Sequence, residues 1–244
     1  MRSSPSRRSE LERLGALPFA HRGLHGGGLV ENSGGAIAAA VDRGFGVELD
    51  VQLSRDGEAM VFHDYELDRL TAGQGPVAAR SAAELQAIPL NLCGEAMPRL
   101  AQALAIVSGR APLLVEVKSP DRQVERLCAA VAGALTAYEG PVGVMSFNPE
   151  VGAWFARHAA PVLRGLVVTE SGRRGPRGRV ERPLALWRAK ADFLAYDIRD
   201  LPSRFAGAAR RRGLPVYTWT VRRDGDRARA SVHADQIIFE ASPE

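Results

Sequence analysis

Short apolar runs alternate with amphipathic stretches from residue 17 to the end of the chain. The runs are FAH (19–21), VELDV (47–51), LLVEV (113–117), VGVMSF (142–147), GLVVT (165–169), FLAY (193–196), PVYTWTV (215–221) and QIIF (236–239). Each is short and rich in β-branched or aromatic residues, and helical patterning follows most of them. After FAH, Asn32 or Ser33 can cap a helix that places Ile37, Ala40 and Val41 on one face and stops at Gly44. After LLVEVK, Ser119-Pro120-Asp121 supplies a cap, a first-turn proline and an early negative charge. Val124, Leu127, Cys128, Val131 and Leu135 then recur at helical spacing. Further helices are expected at Ser81, over 99–107, from Pro149, near 184–189, around 204–212 and over 224–232. The run AMVF (59–62) is left over as a hairpin partner or extension of the second strand, across the turn Ser54-Arg55-Asp56-Gly57. Eight strand-then-helix units predict an α/β fold closed as a parallel (β/α)₈ barrel, the alternative being a doubly wound open sheet.

Alternation along a strand sends residues two apart to the same side. Glu48 and Asp50 therefore face one way and Val47, Leu49 and Val51 the other; the same rule turns Glu116 and Lys118 inward in LLVEVK. In a barrel, inward groups near strand C-termini build the active face. Three carboxylates converging there repel unless a cation sits among them, and a hard divalent ion suits an all-oxygen set. His21 and His63 close two runs on either side of the acidic pair, which suggests an acid/base site. His25 and His158 are read as loop and helix-end residues without a role.

Bulk properties narrow this picture without redirecting it. The chain has 244 residues, 45% of them hydrophobic and 25% charged, with a formal net charge of +4. That suits one large domain with a sizeable core, and the mild basic excess fits an anionic small substrate. Two cysteines, Cys93 and Cys128, are too few for a disulfide framework and lack metal-ligand spacing. The polar, basic N-terminus has no secretory pattern and is expected to be a flexible tail over residues 1–15, leaving 16–244 as one domain. No run approaches the ~20 apolar residues of a membrane helix, so the expectation is a cytoplasmic protein without integral membrane association. Residues 171–182 hold five arginines in twelve positions and read as a solvated loop able to attract an anionic substrate. Arginines dispersed in this way, without interleaved aromatics, argue against a nucleic-acid partner.

An ordered set of motifs then resembles the glycerophosphodiester phosphodiesterase family. These are His21-Arg22-Gly23, Glu31-Asn32-Ser33, Glu48-Leu49-Asp50-Val51, Asp56-Gly57, His63-Asp64, and LDRLT at 67–71. VEVK at 115–118, SFN at 146–148, WTV at 219–221 and DQII at 235–238 continue the series. The resemblance implies a (β/α)₈ barrel with a short insertion between the second and third barrel strands. It implies hydrolysis of glycerophosphodiesters to sn-glycerol 3-phosphate and an alcohol, with the glycerol 2-hydroxyl able to attack first and give a cyclic phosphate. Glu48, Asp50 and Glu116 then hold one divalent cation, Mg²⁺ or Ca²⁺. His21 and His63 become acid and base, Arg22 and Lys118 hold the phosphate, and Asn32, Phe147 and Trp219 are candidates for the substrate pocket. The rival activity is a phospholipase D-like reaction on lysophospholipids or sphingolipids; a non-catalytic binding barrel ranks below it. Two departures, Val30 in place of a proline and Arg222 in place of an asparagine after WTV, bear on the headgroup.

Overall fold

The computed structural model describes residues 5–240. Eight parallel strands close into a barrel: β1 (Phe19–His21), β2 (Gly46–Leu53), β4 (Leu113–Val117), β5 (Val142–Ser146), β6 (Leu163–Val168), β7 (Phe193–Asp197), β8 (Val216–Val221) and β9 (Gln236–Phe239). Closure comes from β1, which pairs with β2 on one side and β9 on the other. β3 (Ala59–Val61) lies antiparallel to β2, with Leu53 opposite Ala59 across the expected Asp56-Gly57 turn. Gly57 takes φ +95° there, a conformation open to glycine at no steric cost. The closed topology excludes the open-sheet alternative.

Helices pack outside the barrel: α2 (Gly34–Asp42), α3 (Ala82–Gln86), α4 (Leu100–Val107), α5 (Glu125–Leu135), α6 (Pro149–His158), α7 (Pro176–Ala189), α8 (Arg204–Arg211) and α9 (Asp224–His233). The outward strand residues Val47, Leu49, Val51, Val115 and Val117 form one core with the inner faces of α2, α4 and α5. Ser33 caps α2 by accepting from the Ala36 amide, while Asn32 is left free for another task. Between β3 and α4, residues 64–99 fold over a separate small core that includes Val30, Met60, Phe62, Leu67, Leu85 and Met97.

Three local expectations are corrected. Helix α5 begins at Glu125 and not at Pro120, because the Asn148 amide draws the carbonyls of Ser119 (3.3 Å) and Asp121 (2.5 Å) into a turn. The arginine-rich stretch is no loop: from Pro176 onward it forms α7, which carries Pro183 in its interior. Packing on α6 holds it there, so closely that a Cβ on Gly152 would meet the Ala189 carbonyl at 2.3 Å.

The third correction concerns the tail. Residues Pro5–Leu14 form helix α1, which stoppers the N-terminal end of the barrel. Leu11 and Leu14 are buried among Phe19, Leu114, Phe193 and Tyr217, the last two rings stacked 5.0 Å apart. Arg7 fixes the helix from outside, donating to the Pro161 carbonyl (2.6 Å) and the Val162 carbonyl (3.0 Å) and pairing with Asp192. Residues 1–4 of the expected tail and 241–244 lie outside the described residues. Among the described residues no helix is long and apolar enough to cross a membrane.

Candidate active site

Strand register assembles the site. His21 on β1 is the register partner of Glu48 on β2, and Asp50 on β2 is that of Glu116 on β4. Three neighbouring strands thus present their chemistry at the C-terminal end of the barrel. One ligand atom from each of Glu48, Asp50 and Glu116 lies within 4.8 Å of the other two, and all three side chains are buried. Oxygens around a single hard cation stand at most about twice the metal–oxygen distance apart, roughly 4–5 Å, so this set fits one divalent ion. Glu48 Oε1 is buried with no hydrogen-bond partner, an acceptor left over for such an ion.

Two cations of the chain balance the rest of the negative charge. Arg22 Nε lies 3.2 Å from Asp50 Oδ2, and Lys118 Nζ lies 2.9 Å from Asp50 Oδ1 and 2.5 Å from Glu116 Oε1. Burial would raise the Asp50 carboxyl, but Lys118 and Arg22 outweigh it and hold Asp50 below the usual range. Burial and the charges of Asp50 and Glu116 together push Glu48 well above the usual range.

The backbone around Arg22 is shaped for this purpose. Arg22 and Asn32 adopt φ +58° and +61°, unusual for residues other than glycine. In that conformation the Arg22 amide donates to Glu48 Oε2 at 3.0 Å, and the Asn32 amide donates to the Arg22 carbonyl at 2.8 Å. Gly23 follows at φ +76°, and a Cβ there would strike the Ala36 backbone at 2.7 Å. The HRG tripeptide is therefore a packing requirement as well as a chemical one.

Each histidine has its own orienting carboxylate. His21 Nδ1 lies 2.7 Å from Glu240 Oε1, and His63 Nδ1 lies 2.6 Å from Asp64 Oδ1. In both, Nδ1–H donates to the carboxylate, which leaves Nε2 to exchange a proton. Burial lowers both imidazoles, opposed at His21 chiefly by the Glu240 hydrogen bond and at His63 chiefly by the Asp50 charge. Gln52, the next inward residue of β2, donates to the His63 carbonyl (2.9 Å) and the Asp64 carbonyl (2.5 Å) and so fixes the loop that carries His63.

The cleft above these groups has a volume of about 600 Å³. Phe147 and Trp219 line it and pack edge to face with ring centres 5.6 Å apart, and its rim carries Arg199, Arg222 and Arg223, the first two paired with Asp197 and Glu240 at 2.6 Å each. Asn32, a candidate for the pocket, sits elsewhere: it is 1% exposed and donates to Asp50 Oδ2 at 3.0 Å, anchoring that carboxylate from behind. His25 and His158 stay outside the cleft, the latter against the Trp154 carbonyl. The motifs contained Glu31 and Asp64 without assigning them work; Glu31 accepts from Arg22 at 2.6 Å and from Arg69 at 2.7 Å. Gln52 could have been found by extending the period-two rule by one step.

A closed parallel barrel gathers a buried triad of carboxylates, two cations and two histidines at its C-terminal mouth, the end at which barrel enzymes carry their active sites. Residues 21–239 match the model of the Glycerophosphoryl diester phosphodiesterase family, and the chain belongs to that family. It is therefore an enzyme, a phosphodiesterase. A glycerophosphodiester phosphodiesterase of Caldanaerobacter subterraneus is 27% identical over 228 residues, covering 87% of this chain and 88% of its own. The fold is shared with a phosphodiesterase of Oleispira antarctica solved in complex with its product, sn-glycerol-3-phosphate. That likeness has a TM-score of 0.80 at 24% identity, covering 92% of this chain and 93% of the other. A glycerophosphodiester phosphodiesterase of Thermotoga maritima gives 0.73 at 21% identity, with 91% and 94% covered.

Proposed function

We propose that this cleft hydrolyses glycerophosphodiesters to sn-glycerol 3-phosphate and an alcohol. The observation that carries the proposal is the convergence, on one barrel mouth, of a hard-cation site with two histidines that each hold a carboxylate at Nδ1. Glu48, Asp50 and Glu116 would hold one divalent cation, Mg²⁺ or Ca²⁺, which when bound offsets charge on the phosphate oxygens as a Lewis acid.

Arg22 and Lys118 orient the phosphate diester and stabilise the charge that builds on it in the transition state. One histidine accepts the proton of the attacking hydroxyl at Nε2. The other donates a proton to the departing alcohol oxygen as the P–O bond breaks. With the glycerol 2-hydroxyl as first nucleophile the product is a cyclic phosphate, and water opens it with the two histidines in exchanged roles. Asp64 and Glu240 keep both rings in the tautomer this requires. Full retention of these groups argues against a binding barrel without catalysis. A reaction on lysophospholipids is favoured by one further feature, an apolar surface beside the cleft.

The test is release of glycerol 3-phosphate from glycerophosphocholine, glycerophosphoethanolamine and glycerophosphoglycerol in a coupled assay with Mg²⁺ or Ca²⁺. Turnover of one or more supports the reading, and no turnover of any soluble diester rejects it.

A further inference from the structure

Helix α7 carries its apolar residues on the wrong side for a helix that only packs on a barrel. Val180, Leu184 and Trp187 fall at i, i+4 and i+7, on one face, and are 60%, 59% and 76% exposed. The opposite face is buried: Ala189 packs on Gly152 of α6, and Gly178 lies against the Arg173 backbone. Arg177 and Arg188 flank the apolar stripe on one side and Arg179 on the other.

The stripe borders a groove of about 1030 Å³ between α6 and α7. Arg122, Arg173, Arg177 and Arg188 line this groove against Glu150 and Glu181, an excess of two positive charges. Phe147, 47% exposed, lines both the groove and the active-site cleft, so the two adjoin at the barrel mouth.

A stable helix with an outward Trp-Leu-Val stripe and flanking arginines matches the physics of a helix lying in a membrane interface. The apolar side chains enter the headgroup–acyl boundary, the indole sits at its level, and the guanidinium groups meet anionic headgroups. We propose that the outer face of α7, together with Phe147, docks this enzyme on an anionic lipid surface and turns the cleft mouth towards it. The charge of the face selects the occupant: Glu181 and Glu150 pair with Arg177 and Arg188 at 2.6 and 2.7 Å, and the groove's remaining excess of two positive charges is met by anionic headgroups and not by an uncharged apolar partner. The consequence for substrate, which rests on the hydrolytic reading above, is access to phosphodiesters embedded in that surface, lysophospholipids above all.

Co-sedimentation with vesicles tests the docking apart from the catalysis. Wild type is expected to partition onto phosphatidylcholine–phosphatidylglycerol vesicles at least about tenfold better than onto phosphatidylcholine alone, and to lose that preference in 0.5 M salt. Leu184→Asp with Trp187→Asp should abolish binding by about tenfold or more, and Arg177→Glu should weaken it. All three substitutions lie outside the catalytic groups and should leave turnover of soluble glycerophosphocholine unchanged, which also reports that the variants fold. No vesicle binding by an enzyme that turns over the soluble diester overturns the docking and leaves the hydrolytic reading standing. Binding without preference for anionic vesicles overturns it too. So does a wild-type dimer that Trp187→Asp dissolves, or a preference for an oligonucleotide over vesicles, since either assigns the face to another occupant.

Discussion

His21 and Glu240 meet at 2.7 Å across the closure of the barrel, one at the end of its first strand and the other immediately after its last. Arg222 completes the contact, donating to both Glu240 oxygens at 2.6 and 2.8 Å. Burial would raise Glu240, but His21 and Arg222 bring it down to about 2, so it is an anion throughout the working range. Arg222 is thus coupled to His21 through one carboxylate.

Glu240→Gln keeps the hydrogen bond and removes the charge. A carboxylate favours the imidazolium, so its loss lowers the His21 pKa further. The limb of the pH–rate profile that belongs to His21 should move to lower pH, and kcat should fall by about 10–100-fold. A shift of the ascending limb marks His21 as base, and a shift of the descending limb marks it as acid. Profiles measured over pH 5–9 decide this; an unchanged profile removes Glu240 from the mechanism.

Removing divalent ions with EDTA should silence the enzyme, and adding back Mg²⁺ or Ca²⁺ should restore it. The same ion should raise the melting temperature, because it binds only the folded triad. At about 100 times its Kd the gain is ~2.7 kcal/mol, roughly 5–10 °C for a chain of this size. Glu48→Gln and Glu116→Gln should lose that rise. An enzyme indifferent to EDTA, with no ion-dependent stabilisation, contradicts the assignment of the triad.

Leu14 is fully buried in the barrel floor although it belongs to a stretch that reads as a polar tail. Leu14→Ala should destabilise the protein by about 2–5 kcal/mol in urea titration. An effect below ~0.5 kcal/mol is the surface-residue result and would mean that α1 does not stopper the barrel.

Most of the site was legible because period-two alternation and register are local rules. Valines and a leucine on one side of β2 place Glu48 and Asp50 on the other, and the parallel neighbour β4 then brings Glu116 level with Asp50. What escaped depends on contacts distant in sequence. Helix α1 has only Leu11 and Leu14 to bury, and the cavity that receives them is built by strands up to 206 residues away, where Tyr217 reaches the Leu11 carbonyl. In α7, Gly178 and Pro183 speak locally for a loop, since an interior proline costs a helix ~3 kcal/mol. Packing on α6 overrides that preference, and no short window of sequence contains it. Glu240 has no local signature at all, because its role appears only when the ring of strands closes.

The most direct test of the central claim is glycerol 3-phosphate release by His21→Ala and His63→Ala, each first shown to be folded and to retain ion-dependent stabilisation. A general acid or base contributes about 10²–10⁴-fold, so kcat should fall by at least that much in each variant with little change in melting temperature. Wild-type turnover by either folded, ion-binding variant would contradict the account.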